Sequence, residues 1–187
     1  WLEDGARHVM TPAHVSLKLC DIVMKDRATY VIDSFCGYGS DAAFLYRLPV
    51  ALEISDLDVT RVEATIQNIF RENEPANSGI MACTKNFSAV MADVATTHGT
   101  LATGERILVY VDPPWIDLVL AGGVPYDFTL TGGRLSSYLA TMSWISFVVK
   151  VPYNYNASKL VDIRSVTGEY TFPDCGLKLL YYERGRR

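Results

Sequence analysis

No two cysteines in this chain stand close enough in sequence to share a metal or a local disulfide. Cys20, Cys36, Cys83 and Cys175 are scattered, with no CxxC pair. That excludes a zinc-ribbon pattern and a disulfide framework, and it points to reduced thiols in an intracellular compartment, nuclear or cytoplasmic. Histidine is scarce too. His8, His14 and His98 form no ligand spacing, so no metal is expected. No apolar run approaches the ~20 residues of a membrane helix, and the first residues carry no signal-peptide pattern. Beginning at Trp1 rather than Met, the sequence reads as a fragment or a trimmed chain. Positive charge is also limited: 17 Lys and Arg against 21 Asp and Glu give a net charge of −4. This balance argues against a protein that coats nucleic acid through bulk charge, while leaving room for a local anionic-ligand pocket. The one basic cluster, Arg184, Arg186 and Arg187, reads as a solvated tail.

What is present suits one domain with a sizeable core, since 49% of the 187 residues are hydrophobic. Thr11-Pro12 reads as an N-cap followed by proline at the first helical position. It opens a helix that runs to about Lys25 through Val15, Leu19, Ile22 and Val23. Strands are expected at Tyr30–Asp33, 48–55, 80–84, 106–112, 144–151, 166–172 and 176–183. Helical patterns fall between them, at 57–71, 87–96, 133–143 and about 156–163. Glycines and a proline break any pattern from Ile116 to Thr131, which predicts a long mobile loop over the substrate mouth. Trp144 is expected in the core. Several strands are continuous apolar runs, the mark of strands buried on both faces. The expectation is an α/β, Rossmann-like domain over 29–187. It has a mostly parallel seven-stranded sheet, helices on both faces and an antiparallel C-terminal strand, with 1–28 as a helical extension.

In such sheets ligands bind at the carboxyl ends of the strands, and three strands here end in polar chemistry. The first ends "VIDSFCGYGS", where Gly37 and Gly39 let the backbone approach a ligand and the next helix can offer free N–H groups. The third glycine of a GxGxxG dinucleotide fingerprint is missing. The second ends near Glu53, an acid placed to hold two ribose hydroxyls of either a nicotinamide cofactor or S-adenosylmethionine. The fourth ends "VYVDPPW". Asp112 can accept from an amine, Pro113 and Pro114 stiffen the turn, and Trp115 offers a flat face for a planar base. These parts suit holding an exocyclic amine while a methyl group approaches it. A proline-rigidified loop around a buried Trp is the plainer alternative. No His-bearing motif activates Cys36, so packing is its expected role.

The segments "MTPAHVS", "VIDSFCGYGSDAAF", "VALEISDLD…QN", "PPW" and "VPYNYNASKLVDI", in this order, resemble the trimethylguanosine synthase family of class I S-adenosylmethionine-dependent methyltransferases. The resemblance runs from about residue 2 to the last strand. It implies addition of methyl to N2 of 7-methylguanosine in the cap of small RNAs, with S-adenosylmethionine as cofactor and RNA as partner. Carried over by position, Asp33, Cys36, Gly37 and Gly39 would line the cofactor site and Glu53 would take the ribose. Asn86 would meet the adenine, and Pro113 and Pro114 would shape the transfer site. Trp115 would stack on 7-methylguanine. Thr11 and Pro12 would help close the pocket, with Lys150 and Asn154 near the substrate. The chain departs from the pattern in having Asp112 where the family has Ser, Glu53 and Asn86 where it has Asp and an acid, and Tyr153 where it has a phosphate-binding Arg. Lys150 would then supply the lost charge. Two other readings stay open: an adenine-N6 or other nucleic-acid amine methyltransferase, and a degenerate subunit of a ribonucleoprotein assembly.

Overall fold

The structure, a computed structural model, describes residues 10–72, 79–98, 105–115, 129–130, 133–160 and 163–185. In chain order the strands are β1 (Tyr30–Asp33), β2 (Ala51–Asp56), β3 (Ile80–Thr84), β4 (Ile107–Val111), β5 (Thr129–Leu130), β6 (Gly133–Arg134), β7 (Ser146–Pro152), β8 (Gly168–Phe172) and β9 (Leu177–Tyr182). The helices are α1 (Ala13–Asp26), α2 (Ala42–Leu45), α3 (Val59–Glu72), α4 (Phe87–His98) and α5 (Leu135–Thr141), with a 3-10 helix at Ala157–Leu160. Seven strands form one sheet of order β3-β2-β1-β4-β7-β9-β8. The first five run parallel, and β9 is antiparallel to both its neighbours. β5 and β6 form a separate two-stranded ladder.

Burial explains the pattern. β1 and β4 are buried at every position, as strands covered on both faces must be. Tyr30 and Ile32 face a core built with α4 and α5, while Val31 faces a second core built with α1, α2 and α3. α1 buries Val15, Leu19, Ile22 and Val23, one helical stripe. Each such side chain contributes roughly 1.5–3 kcal/mol by leaving water. The helix stops at Arg27, which takes the left-handed conformation (φ 55°) while its N–H bonds back to the Met24 carbonyl. No helix among the described residues is long and apolar enough to cross a membrane.

Several boundaries differ from the sequence reading. Pro12, not Thr11, caps α1, and its carbonyl accepts from the N–H groups of Val15 and Ser16. The helix after the glycine turn is a single turn, so it offers no long dipole. β2 continues past Ser55 to Asp56. Trp144 precedes β7 rather than starting it, partly buried against the core. The expected loop lies outside the described residues from 116 to 128 and at 131, as do residues 1–9 of the expected extension and Arg186 and Arg187 of the basic tail.

The chain order reverses direction between β1 and β4. β2 and β3 extend to one side of β1, and β4 and β7 to the other. A crevice opens where strand order reverses in this way, outside the carboxyl ends of the strands.

Candidate functional site

A cleft of about 790 Å³ opens at that point. Its walls come from three strand ends: Ser34–Gly37 after β1, Asp56–Val59 from the last residue of β2 onward, and Asp112–Trp115 after β4. Met10, Asp41, Lys85, Phe87, Lys150 and Leu177 also reach it.

On one side stands the glycine turn. Gly37 and Gly39 both have positive φ, at 52° and 88°. A Cβ on Gly39 would lie 2.9 Å from the Thr65 methyl, so the turn can pack on α3 only without a side chain there. α3 grips the turn in return. The Thr65 hydroxyl donates to the Gly37 carbonyl at 2.8 Å, and the Asn68 amide donates to the Tyr38 carbonyl at 2.9 Å. Cys36 lies in this wall, 5% exposed, and burial pushes its thiol pKa up. A thiol held neutral in this way packs rather than attacks.

The acid beside this turn is Asp56, not Glu53. Glu53 sits three residues before the end of β2, off the cleft wall. Its Oε2 accepts from the Tyr30 hydroxyl at 2.7 Å, and the Cys83 thiol faces its Oε1 at 3.6 Å. Asp56 ends the strand and faces the cleft. Its Oδ2 accepts from the Gly37 N–H at 3.1 Å and its Oδ1 from the Asp58 N–H at 3.0 Å, with Arg61 nearby at 3.8 Å. It falls 19 residues after Gly37, the separation that a ribose-holding acid has from a phosphate or cofactor turn. The side chains of Leu57 and Val59 are open to solvent at the cleft, and Phe35 stacks on Phe87 at 5.7 Å, giving an apolar wall. Asn86 does not reach the wall. Its Oδ1 caps α4, accepting from the Ala89 N–H at 2.8 Å and the Ser88 hydroxyl at 3.2 Å.

The other side is built from buried charge. Lys150, 4% exposed on β7, ion-pairs with Asp112 and donates to the Thr11 hydroxyl at 2.6 Å. That hydroxyl in turn donates to Asp41 Oδ2 at 2.6 Å. Asp41 also accepts from Ser16 at 2.6 Å and from the buried Tyr110 hydroxyl at 3.0 Å. Behind this group lies Asp33, 1% exposed, with no hydrogen-bond partner for either carboxylate oxygen among the described residues. Burial, then repulsion from Asp41 and Asp112, pushes Asp33 well above the usual carboxylate range. Asp112 is pushed up to about 6 by burial, held from rising further by Lys150 and by the Trp115 indole. Burial alone pulls Lys150 down, but Asp112, Asp41 and Asp33 together carry its ammonium above the ordinary lysine value. Asp112 above pH 6 is therefore an anion beside a cation, aimed at a cleft.

The structure thus brings Cys36, Gly37, Asp112, Pro113, Pro114 and Trp115 to the lining of one cleft, as the sequence reading expects. Pro113 is buried and Pro114 exposed, and Trp115 packs against Tyr155 at 6.3 Å between ring centroids. Asp33 lies behind that lining rather than in it. Thr11 and Pro12 stand beside the cleft without lining it; Met10 does so instead. Lys150 is corrected most sharply. It is buried at the cleft and taken up by its ion pair with Asp112, rather than standing free at the end of the strand. Asn154 is exposed and away from the wall. Sequence reading misses Asp56 and Asp41. The first is legible as the end of "EISD" by counting from the glycine turn; the second carries no local signal, because its partners come from α1, β4 and, through Thr11, β7.

No protein-family model matches the chain, and no curated protein matches it in sequence. Solved structures do share its architecture. A hypothetical protein from Thermus thermophilus superposes with a TM-score of 0.66 at 15% identity, covering 98% of this chain and 91% of that one. A methyltransferase from Geobacter sulfurreducens gives 0.60 at 13% identity, over 93% and 81%. A SAM-dependent methyltransferase from Neisseria gonorrhoeae gives 0.56 at 17% identity, over 90% and 72%. At such identities the likeness speaks for architecture, and it agrees with the strand order and the antiparallel C-terminal pair. The chain has the Rossmann-like fold of the class I S-adenosylmethionine-dependent methyltransferases.

Proposed function

We propose that this protein transfers a methyl group from S-adenosylmethionine to the exocyclic N2 amine of a guanine base in RNA, with the 7-methylguanosine cap as the favoured target. One observation carries the reading: Asp112, held anionic by Lys150 and followed by two prolines and Trp115, faces the same cleft as the glycine turn and Asp56.

The residues present fit the cofactor. Asp56 offers a carboxylate to ribose hydroxyls, the Gly37 backbone leaves open space where a side chain would stand, and Leu57, Val59 and Phe87 offer an apolar wall for adenine. When bound, S-adenosylmethionine supplies an electrophilic methyl carbon on a sulfonium. The chain supplies position and charge. Trp115 gives a flat face for the base, and Pro113 and Pro114 fix the turn between ring and acid. Asp112 would accept the N2–H hydrogen bond and take the proton that N2 releases as the methyl passes from the sulfonium sulfur to nitrogen, the S–C bond breaking as the N–C bond forms.

Guanine fits this acid better than adenine does. An ionised carboxylate only accepts hydrogen bonds. Guanine presents two donors side by side, N1–H and N2–H, whereas adenine places an acceptor lone pair at N1 beside its amine. The motif order that resembles the trimethylguanosine synthases supports the cap as the source of that guanine, as does the preference of a cationic base for an aromatic face.

The test is methyl transfer from labelled S-adenosylmethionine to 7-methylguanosine-capped and uncapped RNAs, with product nucleosides identified. N2-methylated guanosine, richest on the capped RNA, is expected. Label on adenine N6, or no S-adenosylmethionine binding by calorimetry, overturns the proposal.

A further inference from the structure

Outside the cleft lining, α1 and the β8–β9 turn bring three ligand-type side chains together: His14, Asp174 and Cys175. His14 Nε2 stands 3.2 Å from Asp174 Oδ2 and 3.9 Å from Cys175 Sγ. The three ligand atoms all lie within 4.8 Å of one another. Around a tetrahedral Zn²⁺, with bonds of roughly 2.0–2.3 Å, such N, O and S atoms stand about 3.3–3.6 Å apart. The His14–Asp174 and His14–Cys175 separations lie within about 0.6 Å of that spacing, and the Asp174–Cys175 pair, within 4.8 Å, would close by up to about 1.2 Å through side-chain rotation. One imidazole, one thiolate and one carboxylate are also the donor set that a borderline-soft divalent cation takes, and hard cations such as Mg²⁺ do not choose sulfur.

The backbone holds these groups in place. The Cys175 N–H closes the turn on the Phe172 carbonyl at 3.3 Å. Gly176 follows in the left-handed region (φ 68°), and its carbonyl accepts from the Tyr153 N–H at 2.8 Å, tying the turn to the end of β7. The His14 ring is placed by Phe172, 5.5 Å away between centroids. Sequence order conceals the group, because His14 and Cys175 are 161 residues apart.

We propose that His14, Asp174 and Cys175 form a binding site for Zn²⁺ or a similar divalent transition-metal cation, with the fourth position left to solvent. His14 and Asp174 are exposed, which keeps that position open. The bound cation would fasten the first turn of α1 to the β8–β9 turn. Both segments adjoin the cleft: Thr11 holds Asp41 and Lys150, and Leu177, two residues after Cys175, lines the wall. This proposal does not rest on the methyl-transfer reading. The competing description is a plain surface ion pair of His14 with Asp174 beside an idle thiol.

The experiment is titration of the metal-free full chain with Co²⁺, followed by competition with Zn²⁺. Expected are one equivalent bound, a thiolate-to-Co²⁺ charge-transfer band, displacement by Zn²⁺ and a raised melting temperature. Cys175→Ser should abolish the band, and His14→Gln should weaken binding at least tenfold. Cys20→Ser, a thiol outside the group, should change nothing. Thermal melts without metal check that each variant folds. No thiolate band in the unmutated chain, or a band that survives in both Cys175→Ser and His14→Gln, overturns the site.

Discussion

A lone buried acid and a cluster of three acids sit at opposite ends of the sheet's strands, and they are built on opposite plans. At the amino ends Asp26 closes α1, 4% exposed, and one of its oxygens accepts from the Ser146 hydroxyl at 2.8 Å and the Tyr181 hydroxyl at 2.6 Å. Ser146 opens β7 and Tyr181 lies on the paired β9, so this acid stitches helix to sheet with neutral donors. At the carboxyl ends Asp33, Asp41 and Asp112 crowd around one lysine. There the carboxylates repel one another, and two of them are held above their ordinary pKa. The first arrangement fastens the fold. The second keeps charge ready at the mouth of a cleft, which a structure does not do for stability alone.

Removing the lysine should break the contrast most visibly. Lys150→Met strips the buried cation from the carboxyl-end group and should cost about 3–5 kcal/mol in urea unfolding, the range for breaking a buried ion pair. Asp26→Asn should cost only about 1–2 kcal/mol, because hydroxyl donors can still meet the amide oxygen. Equal losses would show the two groups to be alike.

Within the cleft, Asp56 and Glu53 offer the next comparison. Asp56→Ala should weaken S-adenosylmethionine binding at least tenfold, since charge-assisted bonds contribute roughly 1.5–3 kcal/mol each. Glu53→Ala should leave it unchanged by calorimetry. The reverse outcome would return the ribose to Glu53.

A pH profile sharpens the comparison further. With Asp112 at about 6, methyl transfer should fall as pH drops through 6 and level off above it. Because Lys150 lowers this pKa, Lys150→Met should move the acid limb up by about 1–2 pH units. Stability runs the other way for this one group. Its raised native pKa means that its contribution is fully present below the unfolded value near 4 and lost as pH rises through about 6. A rate limb that Lys150→Met leaves in place would assign it to another residue.

The smallest expected effect belongs to Trp115. Trp115→Ala should cost a 7-methylated cap analogue about 0.5–2 kcal/mol more binding than the unmethylated one, the size of a cation–π contribution. Equal losses would mean generic base stacking.

Much of this is legible in the sequence. β3 and the start of α4 fall where the apolar pattern puts them, and both glycines of the turn are needed for their positive φ. "DPPW" stands at the cleft as expected. Local signals read well because each depends on a few neighbouring residues. Asp56 is missed by three positions, since alternation along a buried strand does not mark which acid reaches the carboxyl end. Lys150 reads as a cation for the substrate because nothing next to it in sequence reveals that Asp112 and Thr11 converge on it from the end of β4 and the start of α1.

The place of β9 in the sheet has a consequence for the order of folding. β8 comes before β9 in the chain, yet among the described residues its only neighbour in the sheet is β9, which fills the position beside β7. β8 therefore cannot dock before β9 exists. The local hairpin across residues 173–176 must form first, or together with docking, and then add to β7 as a block. Pulsed hydrogen exchange during refolding should show the amides of β8 and β9 gaining protection in one step, after or with β7; earlier protection of β8 alone would contradict this order.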